Sequence, residues 1–187
     1  MKEISLYILD IAQNAVRAGA KNIGIYIEEE GSTLSFTAID DGCGMKKEQL
    51  KRVSDPFFTT RTTRKVGLGI PLLRQAAEQT GGGIEVQSRS REEFPHDHGT
   101  RLRAVFLQDS PDALPMGDIV STVVTLIQGA GGMDYDFAWR SERGEASLST
   151  KAMRGMLGSE VPLSSPEVLA WASRYLNETL KEIFINL

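Results

Sequence analysis

Two hydrophobic periods alternate along the first hundred residues of the chain. Leu6, Leu9 and Val16 recur at helical spacing and Gly19 stands where a helix often stops, which predicts a helix over Ser5 to Ala18. The pattern then switches to strict alternation, with Ile23, Ile25 and Ile27 on one side of a strand predicted over Asn22 to Glu28. After a turn at Glu30, Gly31 and Ser32, the residues Leu34, Phe36 and Ala38 alternate again as the hairpin partner. Asp40 shares their parity and therefore leaves the second strand on the apolar side. A polar helical segment, Lys46 to Val53, precedes the irregular stretch DPFFTTRTTRKV. A second helix is predicted over Gly67 to Gln79, closed by Gly81, Gly82 and Gly83. Strands over Ile84 to Ser88 and Thr100 to Leu107 follow, separated by a polar loop from Arg91 to Gly99. Helix, hairpin, helix, hairpin is an α+β layer pattern.

Gln108 to Gly117 carries Pro111 and Pro115 among polar residues and reads as a linker, dividing the chain into residues 1–110 and 111–187. Beyond it the pattern predicts a helix over Asp118 to Gln128, a strand pair near Tyr135–Arg140 and Glu145–Leu148, and a last helix beginning at Ser165, Pro166 and Glu167. Ser164 and Glu167 have capping-box spacing. Trp139, Trp171 and Tyr175 would either meet a partner or pack a small core. With 41% apolar and 25% charged residues in 187, the composition is that of an ordinary globular protein. No apolar run approaches the roughly 20 residues of a membrane helix, and the amino terminus lacks a secretory pattern. A single cysteine excludes an internal disulfide, so a cytoplasmic location is expected. The net charge of −4 argues against duplex DNA or an anionic membrane as partner, and leaves small phosphorylated ligands open.

Three clusters carry candidate chemistry. Asp10, Asn14 and Arg17 fall within roughly 60° of arc on the first helix. They would make either a solvated face or a site for a metal–phosphate complex, with Asn14 offering an amide oxygen, Arg17 pairing with phosphate and Asp10 handling water. Asp40-Asp41-Gly42-Cys43-Gly44-Met45 ends the second strand. The inward Asp40 can accept a hydrogen bond from an exocyclic amine, and the glycines allow a base close to the backbone; an Asp-Gly turn is the plainer reading. Cys43 reads as a small packing residue. Gly67-Leu68-Gly69-Ile70 opens the second helix, where backbone N–H groups and the helix dipole favour an anion, although such a pair also makes ordinary turns. Arg61, Arg64 and Lys65 precede it and would screen phosphate charge or form a solvated basic loop. His96 and His98 read as solvated residues of the polar loop.

The order of these clusters resembles the GHKL superfamily of gyrases, heat-shock chaperones, histidine kinases and MutL. DIAQNAVRAGA looks like its N box, DDGCGM like its first glycine box, DPFFTTR like the histidine-kinase F box, VGLGIPLLRQAAEQTGGGIEVQS like the second glycine box, and HGTRLRAVF like the final Gly-Thr box. The resemblance spans about Ser5 to Leu107 and is nearest to the ATP-binding domain of histidine kinases. It implies a two-layer α/β sandwich of the Bergerat type, with a small α+β carboxyl-terminal appendage. It further implies Mg²⁺ on Asn14, phosphate on Arg17, adenine N6 on Asp40, and a base pocket shaped by Gly42 and Gly44. Gly67 and Gly69 would meet the phosphates, and Thr100 would support Asp40 through water. Met45, Phe58, Thr60, Arg61, Lys65, Leu68 and Ile70 complete the implied nucleotide-contacting set. Phe57 and Phe58 would anchor a lid or pack as core aromatics. Asp10 stands where hydrolysing members have Glu and many kinases Asn, and Lys65 stands where kinases usually have a first glycine. Residues 1–4 leave no room for a phosphoacceptor helix ahead of the N box. The resemblance thus implies a Mg-ATP-binding protein acting on a separate partner through its carboxyl-terminal region or lid. The alternatives are a conformational ATPase and a nucleotide-sensing module, the appendage serving for docking or homodimerisation.

Overall fold

Twelve elements form the chain in a computed structural model that describes residues 2–53, 69–158 and 160–183. They are α1 (Ile4–Arg17), β1 (Asn22–Glu30), β2 (Thr33–Asp40), α2 (Lys47–Arg52), α3 (Gly69–Gln79), β3 (Gly83–Arg89), β4 (Gly99–Leu107), α4 (Ile119–Gln128), β5 (Asp134–Ser141), β6 (Gly144–Ser149), α5 (Thr150–Leu157) and α6 (Pro166–Ile183). All six strands share one sheet in the order β3-β4-β2-β1-β5-β6. β2 pairs antiparallel with both β1 and β4, so β4 runs parallel to β1. β5 also runs parallel to β1, and α4 therefore carries the chain over two strands in a crossover.

Alternation decides which side of the sheet is covered. Ile23, Ile25, Ile27, Leu34, Phe36, Leu102, Ala104, Phe106, Phe137 and Trp139 all face one way and are buried. Against them α3, α1, α4 and α6 lie in a row that follows the strand order. The opposite face leaves Tyr26, Ile39 and Leu107 exposed. This is an α+β layer architecture, as the pattern predicts, in the two layers that the family resemblance implies.

The first helix forms as expected but turns a different face inward. Leu6 and Val16 are exposed, and the buried stripe is Ile4, Tyr7, Ile8, Ile11, Ala12 and Ala15. Each of those isoleucines contributes about 1.5–3 kcal/mol on burial. Asp10, Asn14 and Arg17 flank this stripe, at the rim of the helix layer rather than on its far side.

The carboxyl-terminal region extends the same sheet. Ile23, Ile25 and Ile27 of β1 stand opposite Tyr135, Phe137 and Trp139 of β5, and one hydrophobic cluster runs from Ile4 through Trp139 to Leu180. Trp139 belongs to this core, whereas Trp171 is half exposed and stacks on Tyr175 at 5.3 Å. The segment read as a linker also holds α1, since the N–H groups of Ile4 and Ser5 donate to the Pro115 and Met116 carbonyls at 3.0 and 2.8 Å. Asp118 caps α4 by accepting the Ser121 N–H at 2.8 Å. α5 was not foreseen. α6 begins at Pro166, so Ser165 rather than Ser164 precedes it.

Candidate functional site

A cleft of about 400 Å³ opens between α1, the end of β2 and the start of α3. Asn14, Arg17, Asp40, Gly44, Met45, Gly69, Ile70 and Thr100 all line it, beside an apolar wall that includes Ile11, Ile23, Ala38 and Leu102. A concave, mostly apolar space with a few convergent polar groups is what a small organic ligand requires. Of the other residues singled out in the sequence, Phe57, Phe58, Thr60, Arg61, Arg64, Lys65, Gly67 and Leu68 lie outside the described residues.

Each polar group arrives by a traceable route. Asp40 ends β2 on the helix side because it keeps the parity of Leu34, Phe36 and Ala38. Its Oδ1 accepts the Gly42 N–H at 2.8 Å, and burial pushes its carboxyl above the ordinary value despite hydrogen bonds from the Gly42 and Thr100 backbones. Asp41 does different work. Its carboxylate accepts the Lys21 and Asn22 backbone N–H groups at 2.6 and 2.9 Å and the Asn22 side-chain amide at 2.7 Å. Partial burial alone would raise it, but these donors together hold it below the usual range. The second acid of the pair therefore bolts the end of β2 to the start of β1.

Thr100 lies opposite Asp40 in the sheet, and its hydroxyl is 2.9 Å from Ser88 Oγ. Ser88 Oγ in turn accepts the Met45 N–H at 2.8 Å and donates to the Gly99 carbonyl at 2.9 Å. Gly44 has φ +63°, and a Cβ there would run into the Arg89 carbonyl, so the loop passes only as glycine. Gly42 supports Asp40 from behind the lining.

On α1, the Arg17 guanidinium donates to Asn14 Oδ1 at 2.8 Å. Asp10 stands just behind the lining, where a Cβ on Gly69 would collide with its Oδ2 and come within 3.7 Å of Asn14 Nδ2. The first turn of α3 thus meets the Asp10 carboxylate with only a hydrogen between them and lies beside the Asn14 amide. Among the described residues, no three His, Cys, Asp or Glu side chains gather as a metal site.

His98, read as solvated, is half buried and bonds the Gly42 carbonyl through Nδ1 at 2.6 Å. With Ser88, it is a site residue that sequence reasoning missed, and Asp41 stands in the strand-end cluster there without a role of its own. Their partners lie 11 to 56 positions away, where no local signal reaches.

A helix-borne amide and cation, a strand-end acid over a glycine turn, and the start of α3 at Gly69 border one cleft. A family model described as histidine kinase-, DNA gyrase B-, and HSP90-like ATPase matches residues 2–110. The chain belongs to this family. It carries an ATP-binding domain of the histidine-kinase type. The nitrogen regulation protein NtrY of Azorhizobium caulinodans is 28% identical over 121 residues, covering 60% of this chain and 15% of that protein. The sensor histidine kinase ZraS of Escherichia coli O157:H7 is 31% identical over 83 residues, covering 43% of this chain and 18% of that protein. The chain thus spans less than a fifth of the length of either relative. A crystal structure of the N-terminal domain of a DNA repair protein shares the fold at a TM-score of 0.55 and 13% identity, covering 85% of this chain and 58% of that one. That likeness takes in more of the chain than the family match does, so it reaches into the carboxyl-terminal region. No helix among the described residues is long and apolar enough to cross a membrane.

Proposed function

We propose that this domain binds Mg-ATP in the cleft and transfers the γ-phosphoryl group to a separate protein. The convergence of Asn14, Arg17, Asp40, Gly69 and Thr100 on one hollow carries this reading. Asp40 accepts from the adenine amine, with Gly42 and Thr100 fixing its carboxylate. Gly44 and Met45 form the rim against the base, and Gly69 and Ile70 present the start of α3 to the phosphates. Arg17, which here donates to Asn14 Oδ1, would pair with phosphate oxygens, and Asn14 would hold the cation through its amide oxygen. The donor set suits Mg²⁺, which prefers a few protein oxygens together with phosphate oxygens, and Gly69 leaves room that any side chain would fill. Bound with ATP, the cation supplies charge neutralisation on the phosphates, and the protein contributes mainly positioning.

Incubation of purified protein with γ-labelled ATP and a cell extract should label a discrete partner. Label released only as inorganic phosphate by the purified protein would overturn transfer. It would favour a second reading, that of a slow conformational ATPase, to which the position of Asp10 beside Gly69 and Asn14 lends itself. In that case Asp10→Asn should abolish turnover and retain binding.

A further inference from the structure

We infer that His98 is a positioning residue that aims the Asp40 carboxylate and so sets selectivity for a 6-aminopurine; this rests on the nucleotide reading of the cleft. The ring has one chemically consistent state. A carbonyl oxygen only accepts, so Nδ1, 2.6 Å from the Gly42 carbonyl, carries the proton. Arg91 only donates, and its Nε is 3.2 Å from Nε2, so Nε2 is the acceptor. Both contacts select the same neutral tautomer, and Arg91 fixes the ring plane. Gly42 is then held on both sides, its carbonyl by His98 and its N–H by Asp40 Oδ1 at 2.8 Å.

The rest of the loop is fastened from the same hairpin. The Arg91 N–H donates to the Cys43 carbonyl at 2.9 Å, the Met45 N–H reaches Ser88 at 2.8 Å, and Lys46 pairs with Glu92 at 2.6 Å. Arg89 is itself tied to Asp97 and lies over the Phe94 ring at 5.8 Å. These contacts shape the rim. The His98 contact differs because it lands on the residue that bonds Asp40. A glycine released from its carbonyl anchor regains wide backbone freedom, and of the two backbone donors that fix the Asp40 carboxylate, Gly42 and Thr100, the first is loosened.

The test is a titration of Mg-ATP and of Mg-purine riboside triphosphate, which lacks the amino group, into wild type and His98 variants. His98→Ala should weaken ATP by about threefold to tenfold, the effect of one hydrogen bond, and leave the purine riboside analogue unchanged. His98→Asn places an amide nitrogen near Nδ1 and should restore the preference, whereas His98→Gln, whose donor corresponds to Nε2, should not. Equal weakening of both nucleotides by His98→Ala, an unchanged ATP affinity, or failure of Asn to restore the preference each overturns the inference. Asp40→Asn in the same titrations separates the two claims. If it keeps full preference for ATP, the base subsite itself is misassigned. If it loses that preference while His98→Ala keeps it, only the role of His98 fails.

Discussion

One row of side chains crosses five strands on the helix side of the sheet: Ser88, Thr100, Asp40, Ile23 and Tyr135. In the amino-terminal half the row is polar and borders the cleft. Ile23 of β1, 2% exposed, walls the cleft on its apolar side, and in the carboxyl-terminal half the row is sealed, with Tyr135 3% exposed. Each half carries a threonine hydroxyl in this region, fully buried at Thr150 and half-buried at Thr100, and satisfies it differently. Thr150 Oγ1 accepts the Tyr135 N–H at 2.7 Å and donates to Asp134 at 3.0 Å, a closed set within its own region. Thr100 and Asp40 instead depend on a loop and a neighbouring hairpin, and their remaining capacity faces open space. The same sheet thus gives a half whose polar groups close on one another and a half whose polar groups line a cleft, and a polar group facing a cleft can bind only where its local partners are incomplete.

The largest expected effect breaks the sealed half. Trp139→Ala removes a fully buried indole opposite Ile27 and should cost about 3–5 kcal/mol of stability. Because β5 pairs with β1 in one core, thermal unfolding should stay a single transition at lower temperature. Two separated transitions would show that the halves melt independently. Nucleotide affinity below the transition should be unaffected. Asp40→Asn should show the reverse: about 1.5–3 kcal/mol lost from ATP binding, roughly ten- to 150-fold, with no loss of stability. A variant that binds ATP normally would remove Asp40 from the site.

Gly69→Ala tests the junction of α1 and α3. The new methyl collides with Asp10, and overpacking of this kind costs about 1–3 kcal/mol. Asp10→Ala in the same background should recover most of that loss in thermal unfolding. A loss that persists in the double variant would place the clash elsewhere.

The sequence read the elements well where period and punctuation agreed, as in β1, β2 and α4. It read the cleft through the order of its motifs, since Asn14, Asp40, Gly69 and Thr100 each sit at the end or on the flank of a strongly patterned element. It misread the buried face of α1, because Leu6 and Val16 supply a second apolar stripe and no local rule says which stripe meets the sheet. It missed α5, an eight-residue helix whose buried residues are Thr150 and Met153 alone. His98 and Asp41 were illegible for another reason. Their roles depend on chain segments brought together only by folding, and a polar residue in a loop looks the same with or without such a partner.

The smallest predicted effect separates the two adjacent carboxylates by pH. Burial raises Asp40 above the ordinary aspartate value of 3.8, so folding favours its neutral form. Its contribution to stability is greatest below 3.8 and is lost as pH rises through the raised value. Asp41 is lowered by its three donors, so its contribution is present above 3.8 and is lost as pH falls through the lowered value. At neutral pH Asp40→Asn should therefore be as stable as wild type or more so, and Asp41→Asn less stable. Chemical denaturation from neutral pH into the acid range should show both differences shrinking. The Asp40 difference should close first, between its raised value and 3.8, and the Asp41 difference only below 3.8. Matching pH profiles for the two variants would mean that the loop holds both acids alike, and the division between a ligand-facing carboxylate and a structural one would not stand.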